Sequence, residues 1–191
     1  MMNKITLILG GARSGKSTYA LSLAKKQNKV AFIATCQGLD KEMEQRIKLH
    51  KEARPKHWQT FEEPKELEAL LGKIGNTFDC IIIDCLTLLV SNLILSGDKE
   101  KDIFNKFTAI LVQLEKKKAK VIIVSNEVGL GVVPVSKLGR DFRDITGRLN
   151  QLVVSYADEV FFIVAGLPLK IKTPLATRPW FGSNSQSQKE E

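Results

Sequence analysis

A three-layer α/β sandwich of the phosphate-loop NTPase type, built on a mostly parallel sheet, is the fold class this sequence predicts, and three observations predict it. Gly10-Gly11-Ala12-Arg13-Ser14-Gly15-Lys16-Ser17 reads G-x-x-x-x-G-K-S between an apolar run, Ile5 to Leu9, and a helix-like stretch, Thr18 to Lys26. The other apolar runs are continuous blocks, not alternating patterns, as expected of strands buried on both faces. Helical patterns separate those blocks, which is the order of β-α-β units.

The chain opens on the first strand and the glycine-rich loop. Glycines allow the backbone to turn so that successive N–H groups point into one concavity, where they and the positive end of the following helix hold phosphate oxygens. Lys16 then reaches the β and γ phosphates, and the Ser17 hydroxyl ligates Mg²⁺. Lys29 to Thr35 reads as a second buried strand, closed by the polar turn Cys36-Gln37-Gly38. Asp40 to Glu52 is helical and highly charged, with Met43, Ile47 and His50 on one face, and Arg54-Pro55 ends it because a residue before proline leaves the helical region. A short segment, His57 to Phe61, leads to Glu62-Glu63-Pro64 and a helix over Lys65 to Ile74.

Phe78 to Asp84 is an apolar strand closed by a carboxylate. In phosphate-loop proteins such a carboxylate holds Mg²⁺, so Asp84 joins Ser17 as a metal candidate; capping of a helix starting near Leu86 is the plainer role for it. Phe104 to Lys118 predicts an amphipathic helix that buries Phe104, Phe107, Leu111 and Leu114 and ends in a solvated run of lysines. Lys120 to Ser125 is a further buried strand, followed by the loop Asn126-Glu127-Val128-Gly129-Leu130-Gly131. That loop is either a substrate- or nucleotide-binding edge or a flexible connection. Leu138, Phe142, Ile145, Leu149, Leu152 and Tyr156 mark one long helix, whose other face carries Arg140, Asp141, Arg143, Asp144 and Arg148. Val160 to Val164 is the last core strand. The folded domain is expected over residues 1–172, and 173–191 is an extension whose polar end, Gly182 to Glu191, predicts disorder.

A length of 191 residues suits one buried core. Lys and Arg outnumber Asp and Glu by 29 to 21, a net charge of +8 that favours anionic ligands. The sparse aromatics are not interleaved with the basic residues, which argues against nucleic acid and for small phosphorylated ligands. Cys36, Cys80 and Cys85 form no C-x-x-C pair, so a zinc site or disulfide is not expected; Cys80 and Cys85 flank an apolar run as small buried hydrophobes. The first strand begins too early for a signal peptide, and no apolar run has membrane-spanning length, so the expected location is cytoplasmic.

His50 on its own is ambiguous, since a lone histidine on the apolar side of a helix is commonly a half-buried structural residue. Arg46, Lys51 and Arg54 nonetheless surround it with positive charge, which favours the neutral, nucleophilic ring and suits a phosphate attacked there.

Read in order, the phosphate loop, Phe32 to Thr35, Asp40 to Lys51, Arg54 to Trp58, Asp84 to Thr87, Val124 to Pro134 and Phe142 to Gln151 resemble one family. It is the bifunctional adenosylcobinamide kinase/adenosylcobinamide-phosphate guanylyltransferase family of cobalamin biosynthesis. The resemblance runs to about Lys172, and it implies two reactions. The kinase step phosphorylates the hydroxyl of the aminopropanol arm of adenosylcobinamide with ATP or GTP. The second transfers GMP from GTP to adenosylcobinamide phosphate, giving adenosylcobinamide-GDP and pyrophosphate. It further implies a guanylylated histidine, matched by His50, with Lys16 as the other catalytic residue. Nucleotide-binding positions carry over to Gly10, Gly11, Ala12, Arg13, Ser14, Gly15, Lys16, Ser17, Ala34, Thr35, Cys36, Lys51, Glu52, Ala53, Arg54, Glu62 and Asp84. His57 matches a structural position. The resemblance also implies a homo-oligomer, a trimer. Relatives often end soon after the position of Lys172, whereas this chain continues. Two other readings stay open on the residues alone: a single-activity phosphate-loop kinase of another small alcohol, and a non-catalytic GTP-binding switch protein.

Overall fold

The computed structural model describes residues 5–37, 45, 51 and 54–173. Its strands are β1 (Ile5–Gly10), β2 (Val30–Ala34), β3 (Gln59–Glu62), β4 (Cys80–Asp84), β5 (Lys120–Val124), β6 (Glu159–Val164) and β7 (Leu167–Lys172). Its helices are α1 (Lys16–Ala24), α2 (Leu67–Ile74), α3 (Leu86–Leu95), α4 (Glu100–Glu115) and α5 (Lys137–Tyr156). The strands form a sheet in the order β3-β2-β4-β5-β1-β6-β7, parallel throughout except for β7, which returns antiparallel to β6. This is the expected mostly parallel α/β architecture.

Both faces of the sheet are covered, as the continuous apolar runs require. Ile5, Leu7, Leu9, Ile81, Ile83, Val121 and Ile123 pack under Leu71, Leu89, Phe107, Leu111, Leu149 and Val153, which come from α2 to α5. Ile8, Phe32, Ile82 and Ile122 face the other way, under Ala20 and Ala24 of α1 and Trp58. Cys80 and Cys85 are buried, as their apolar surroundings suggest. In α4 the helix begins four residues earlier than its aromatic stripe implied, with Glu100 and Asp102 in the first turn against the positive helix end. Before α2, the Glu63 carboxylate accepts from the main-chain N–H groups of Lys65 and Glu66, so those residues form a turn and the helix starts at Leu67.

Two strands carry too little apolar signal to be read from the sequence. β3 is largely exposed, and β7 is an edge strand containing Pro168, whose missing N–H is tolerated only at an edge or bulge. The lysine run after α4 is also not simply solvated. Lys117 is half-buried and donates to the carbonyls of Leu71 at 2.6 Å and Gly75 at 2.7 Å, satisfying the end of the neighbouring α2. The face of α5 that carries Arg140 to Arg148 is partly engaged: Arg140 donates to the carbonyls of Pro134 and Val135, and Arg148 pairs with Glu100 at 2.7 Å. Gln45 and Lys51 are helical, in keeping with the charged helix expected there; the other residues of the stretch Asp40 to Ala53, and the extension from 174, lie outside the described residues.

Candidate functional site

The loop after β1 is shaped by two glycines. Gly10 has φ +151°, and a Cβ there would sit 2.6 Å from the Ile163 carbonyl oxygen and 2.8 Å from Ser14 Oγ. Gly15, with φ +100°, is the residue from which α1 starts, and a Cβ on it would touch Gly166 at 3.4 Å. The contact with Gly166 identifies a brace. β6 and β7 are joined by a two-residue turn, Ala165 and Gly166, both with positive φ, as tight hairpins require. The Gly166 N–H donates to the Ser14 carbonyl at 2.9 Å, so the unanticipated antiparallel hairpin holds the phosphate loop from the side.

Lys16 is 7% exposed and donates from Nζ to the Gly11 carbonyl at 2.5 Å. Burial lowers its pKa from the usual lysine range. The Asp84 carboxylate opposes that shift, whereas the Cys85 thiol, itself pushed up to about 12 by burial, is neutral at pH 7. Asp84 is therefore the anion that acts against that shift. The loop, the ends of β2, β4 and β5, and Arg54 and Glu62 enclose a cleft of about 650 Å³. The Arg54 guanidinium carbon lies over the Phe32 ring, 3.7 Å from its centroid, and Arg54 donates to Thr60 Oγ1 at 3.4 Å. Burial lowers its pKa, with Asp84 and Glu62 acting in the opposite sense. The site thus alternates cation and anion: Lys16 and Arg54 against Asp84 and Glu62. A polyanion with a bound cation is the ligand that such an arrangement matches.

A model of the cobinamide kinase / cobinamide phosphate guanyltransferase family matches residues 6–171. The chain belongs to this family. It is 40% identical over 178 residues to the bifunctional adenosylcobalamin biosynthesis protein CobU of Escherichia coli (strain K12), covering 87% of this chain and 98% of that one. It is 41% identical to the CobU protein of the same description from Salmonella typhimurium, with the same coverage. The bifunctional adenosylcobalamin biosynthesis protein CobP of Pseudomonas aeruginosa is 44% identical over 167 residues, covering 87% of this chain and 96% of its own.

In this member of the cobinamide kinase/guanyltransferase family, Ala12 to Ser17, Ala34, Cys36, Arg54, Glu62 and Asp84 meet around this cleft. Lys51 pairs with Glu62, which brings its ammonium to the rim. Gly10 and Gly11 shape the loop without lining the cleft: Gly10 through its positive φ, Gly11 through the carbonyl that Lys16 occupies. Thr35 is fully buried and turned inward, donating to the Cys85 carbonyl at 2.6 Å and accepting from the Cys85 N–H at 2.9 Å. Asn92 adds a bond from Nδ2 to the Thr35 carbonyl at 2.9 Å, so this pair ties β2 to the start of α3. His50, Glu52 and Ala53 lie outside the described residues. His57 is exposed beside Trp58, apart from the cleft lining. Thr18, Cys85, Leu88 and Val124 line the cleft without being among the predicted site residues, and Asn126 lines it as the first residue of the loop read as a possible binding edge. The signal for Asn126 was its place just beyond a strand's carboxyl end; Leu88 and Val124 had none, being ordinary apolar residues of α3 and β5.

Proposed function

We propose that this protein is the bifunctional enzyme of its family: it phosphorylates adenosylcobinamide with ATP or GTP, then transfers GMP from GTP to adenosylcobinamide phosphate. In the kinase step the terminal phosphorus–oxygen bond of the nucleotide breaks as a bond to the cobinamide hydroxyl oxygen forms. The hydroxyl proton is lost to solvent, and the nucleoside diphosphate leaves with the bridging oxygen. Lys16 neutralises the charge that builds on the phosphoryl oxygens, exchanging the Gly11 carbonyl for the phosphate. The carboxylate of Asp84 and the hydroxyl of Ser17, both lining the cleft, are hard oxygen donors of the kind Mg²⁺ takes, and they would hold that ion. Bound there, Mg²⁺ would supply further neutralisation of the phosphate charge.

In the second step an imidazole nitrogen of His50 forms a bond to the α-phosphorus of GTP, and pyrophosphate leaves. A phosphate oxygen of adenosylcobinamide phosphate then displaces the histidine to give adenosylcobinamide-GDP. Splitting the displacement in this way turns one hard step into two easier ones. The observation that supports this assignment is the ion pair of Lys51, the covalent neighbour of His50, with Glu62 on the cleft wall. We place the reaction in the cytoplasm and the enzyme in a trimer, by resemblance. Supporting self-association, β7 exposes Leu167 by 74%, Leu169 by 58% and Ile171 by 54% along one edge strand. Light scattering of Leu169→Glu is expected to show a lighter particle than the parent; equal masses would remove that edge from the interface.

The deciding test is incubation with Mg²⁺ and GTP labelled at the α-phosphate, then denaturation and peptide mapping. An acid-labile, alkali-stable GMP adduct is expected on the peptide holding His50, and none in His50→Ala. Phosphorylation of cobinamide without any adduct would reduce the protein to a single-activity kinase.

A further inference from the structure

Just beyond β5 the main chain is held by a closed ring of hydrogen bonds that the nucleotide site does not by itself explain. The Asn126 N–H donates to Thr87 Oγ1 at 2.6 Å, and the Thr87 and Ser125 hydroxyls lie 3.2 Å apart. Ser125 Oγ donates to Asn150 Oδ1 at 2.7 Å, and Asn150 Nδ2 donates back to the Asn126 carbonyl at 3.1 Å. Because Ser125 has one proton and gives it to Asn150, Thr87 must donate to Ser125, so every donor in the ring has one direction. Thr87, Ser125 and Asn150 are 4%, 0% and 5% exposed. A buried network with every member satisfied is rigid, and its geometry is unique.

The ring fixes a single residue. On either side of Asn126, the Ser125 N–H donates to the Ile8 carbonyl and the Glu127 N–H to the Gly10 carbonyl, both at 3.0 Å, extending β5 along β1 to the start of the phosphate loop. In a parallel ladder the intervening residue presents its main-chain groups to the opposite neighbour. β4 has ended there, and Thr87 and Asn150 take its place. With the main chain thus locked, the Asn126 side chain lines the cleft, and among the described residues its carboxamide has no hydrogen-bond partner. The sheet order sets where it stands: β5 lies between β4, which ends in Asp84, and β1, which leads to Lys16.

We infer that the Asn126 carboxamide is a catalytic donor to the terminal phosphoryl group of the bound nucleoside triphosphate, and that Thr87, Ser125 and Asn150 are positioning residues that aim it. This rests on the kinase half of the proposed function. An N–H donor whose main chain is held at the end of the strand between those leading to the lysine and the carboxylate stands ready as charge builds on the phosphoryl oxygens.

The experiment compares Asn126→Ala, Thr87→Val and Thr87→Ser in the full chain, by kcat and nucleotide KM for cobinamide phosphorylation. Slow hydrolysis of Mg·ATP without acceptor is measured alongside. Removal of one such donor is expected to lower kcat roughly 100-fold in Asn126→Ala with KM changed less than about threefold. Thr87→Val, which keeps shape and loses the hydroxyl, should lose about tenfold or more in kcat, and Thr87→Ser should restore it to within about twofold. Equal kcat in Asn126→Ala and the parent would overturn the inference, as would Thr87→Val matching Thr87→Ser. Hydrolysis reads the same phosphoryl contact without the acceptor. Its loss in Asn126→Ala supports the inference even where cobinamide is not phosphorylated, a failure that would count against the functional reading alone.

Discussion

The two ends of the parallel sheet use lysine in opposite ways. At the amino ends of the strands, Lys117, Lys120 and Lys172 each donate to main-chain carbonyls at the end of a helix. Lys117 serves α2; Lys120 serves Leu23 of α1 at 3.2 Å; Lys172 serves Val154 at 2.8 Å and Ala157 at 2.6 Å, at the end of α5. Helix ends leave carbonyls without intrahelical partners and carry partial negative charge, so these ammonium groups are permanent caps. At the carboxyl ends, Lys16 also donates to a carbonyl, that of Gly11, but in a loop that lines the cleft. On the proposed function, the same bond is structural at one end and exchanged for phosphate at the other. What separates them is whether a better acceptor can enter.

The largest effect that sharpens this contrast is expected from Lys16→Met. Phosphoryl transfer should fall on the order of 1,000-fold or more, because a charge acting mainly in the transition state is lost. The melting temperature should stay within about 2 °C, since the variant also removes a buried ammonium and its desolvation. A large fall in melting temperature would place Lys16 among the structural lysines.

The pH dependence of the parent enzyme tests the same residue more gently. Burial lowers the Lys16 pKa below the 10.5 of an ordinary lysine, so in the free enzyme the ammonium is lost at a lower pH than in the unfolded chain. kcat/KM for phosphorylation should therefore fall on the alkaline side as pH rises through that lowered value. The stability contribution has the opposite sign: between the folded and unfolded pKa the unfolded chain binds more protons, so Lys16 favours folding more as pH rises. Rate profiles and denaturant melts over the same alkaline range should diverge, and the divergence should vanish in Lys16→Met.

The smallest effects should come from the other end of the sheet. Lys117→Met and Lys172→Met each leave two carbonyls without their donor, a cost of about 1–3 kcal/mol. That corresponds to a melting temperature lower by roughly 2–4 °C for each kcal/mol in a domain of this size. Their kcat should stay within about twofold of the parent. A kinetic defect without loss of stability would dissolve the distinction between the two ends.

How much of the site was legible depended on whether its chemistry is contiguous in sequence. Gly10 to Ser17 could be read directly, because loop, lysine and hydroxyl occupy eight consecutive positions and must do so to wrap one phosphate group. Asp84 was nearly as plain, a carboxylate closing an apolar strand. Arg54 and Glu62 were identified only through family resemblance, since nothing local distinguishes them from other surface charges. Thr35 was assigned to nucleotide binding by the same resemblance, yet its hydroxyl bonds to Cys85 inside the core. A small polar residue at a strand end reads alike in sequence whether it faces ligand or main chain.

By itself the sequence determined the alternation of strand and helix, the phosphate loop and the sign of the ligand's charge. All three depend on short-range periodicity, on the conformational freedom of glycine and on net charge, which need no knowledge of distant neighbours. Only the tertiary structure decided which strands adjoin. It alone brought the β6–β7 hairpin against Ser14 and Gly15, set β5 between Lys16 and Asp84, and closed the ring from Thr87 through Ser125 to Asn150. Those contacts join residues up to about 150 positions apart, between Ser14 and Gly166, and each depends on the order in which the strands are laid into the sheet.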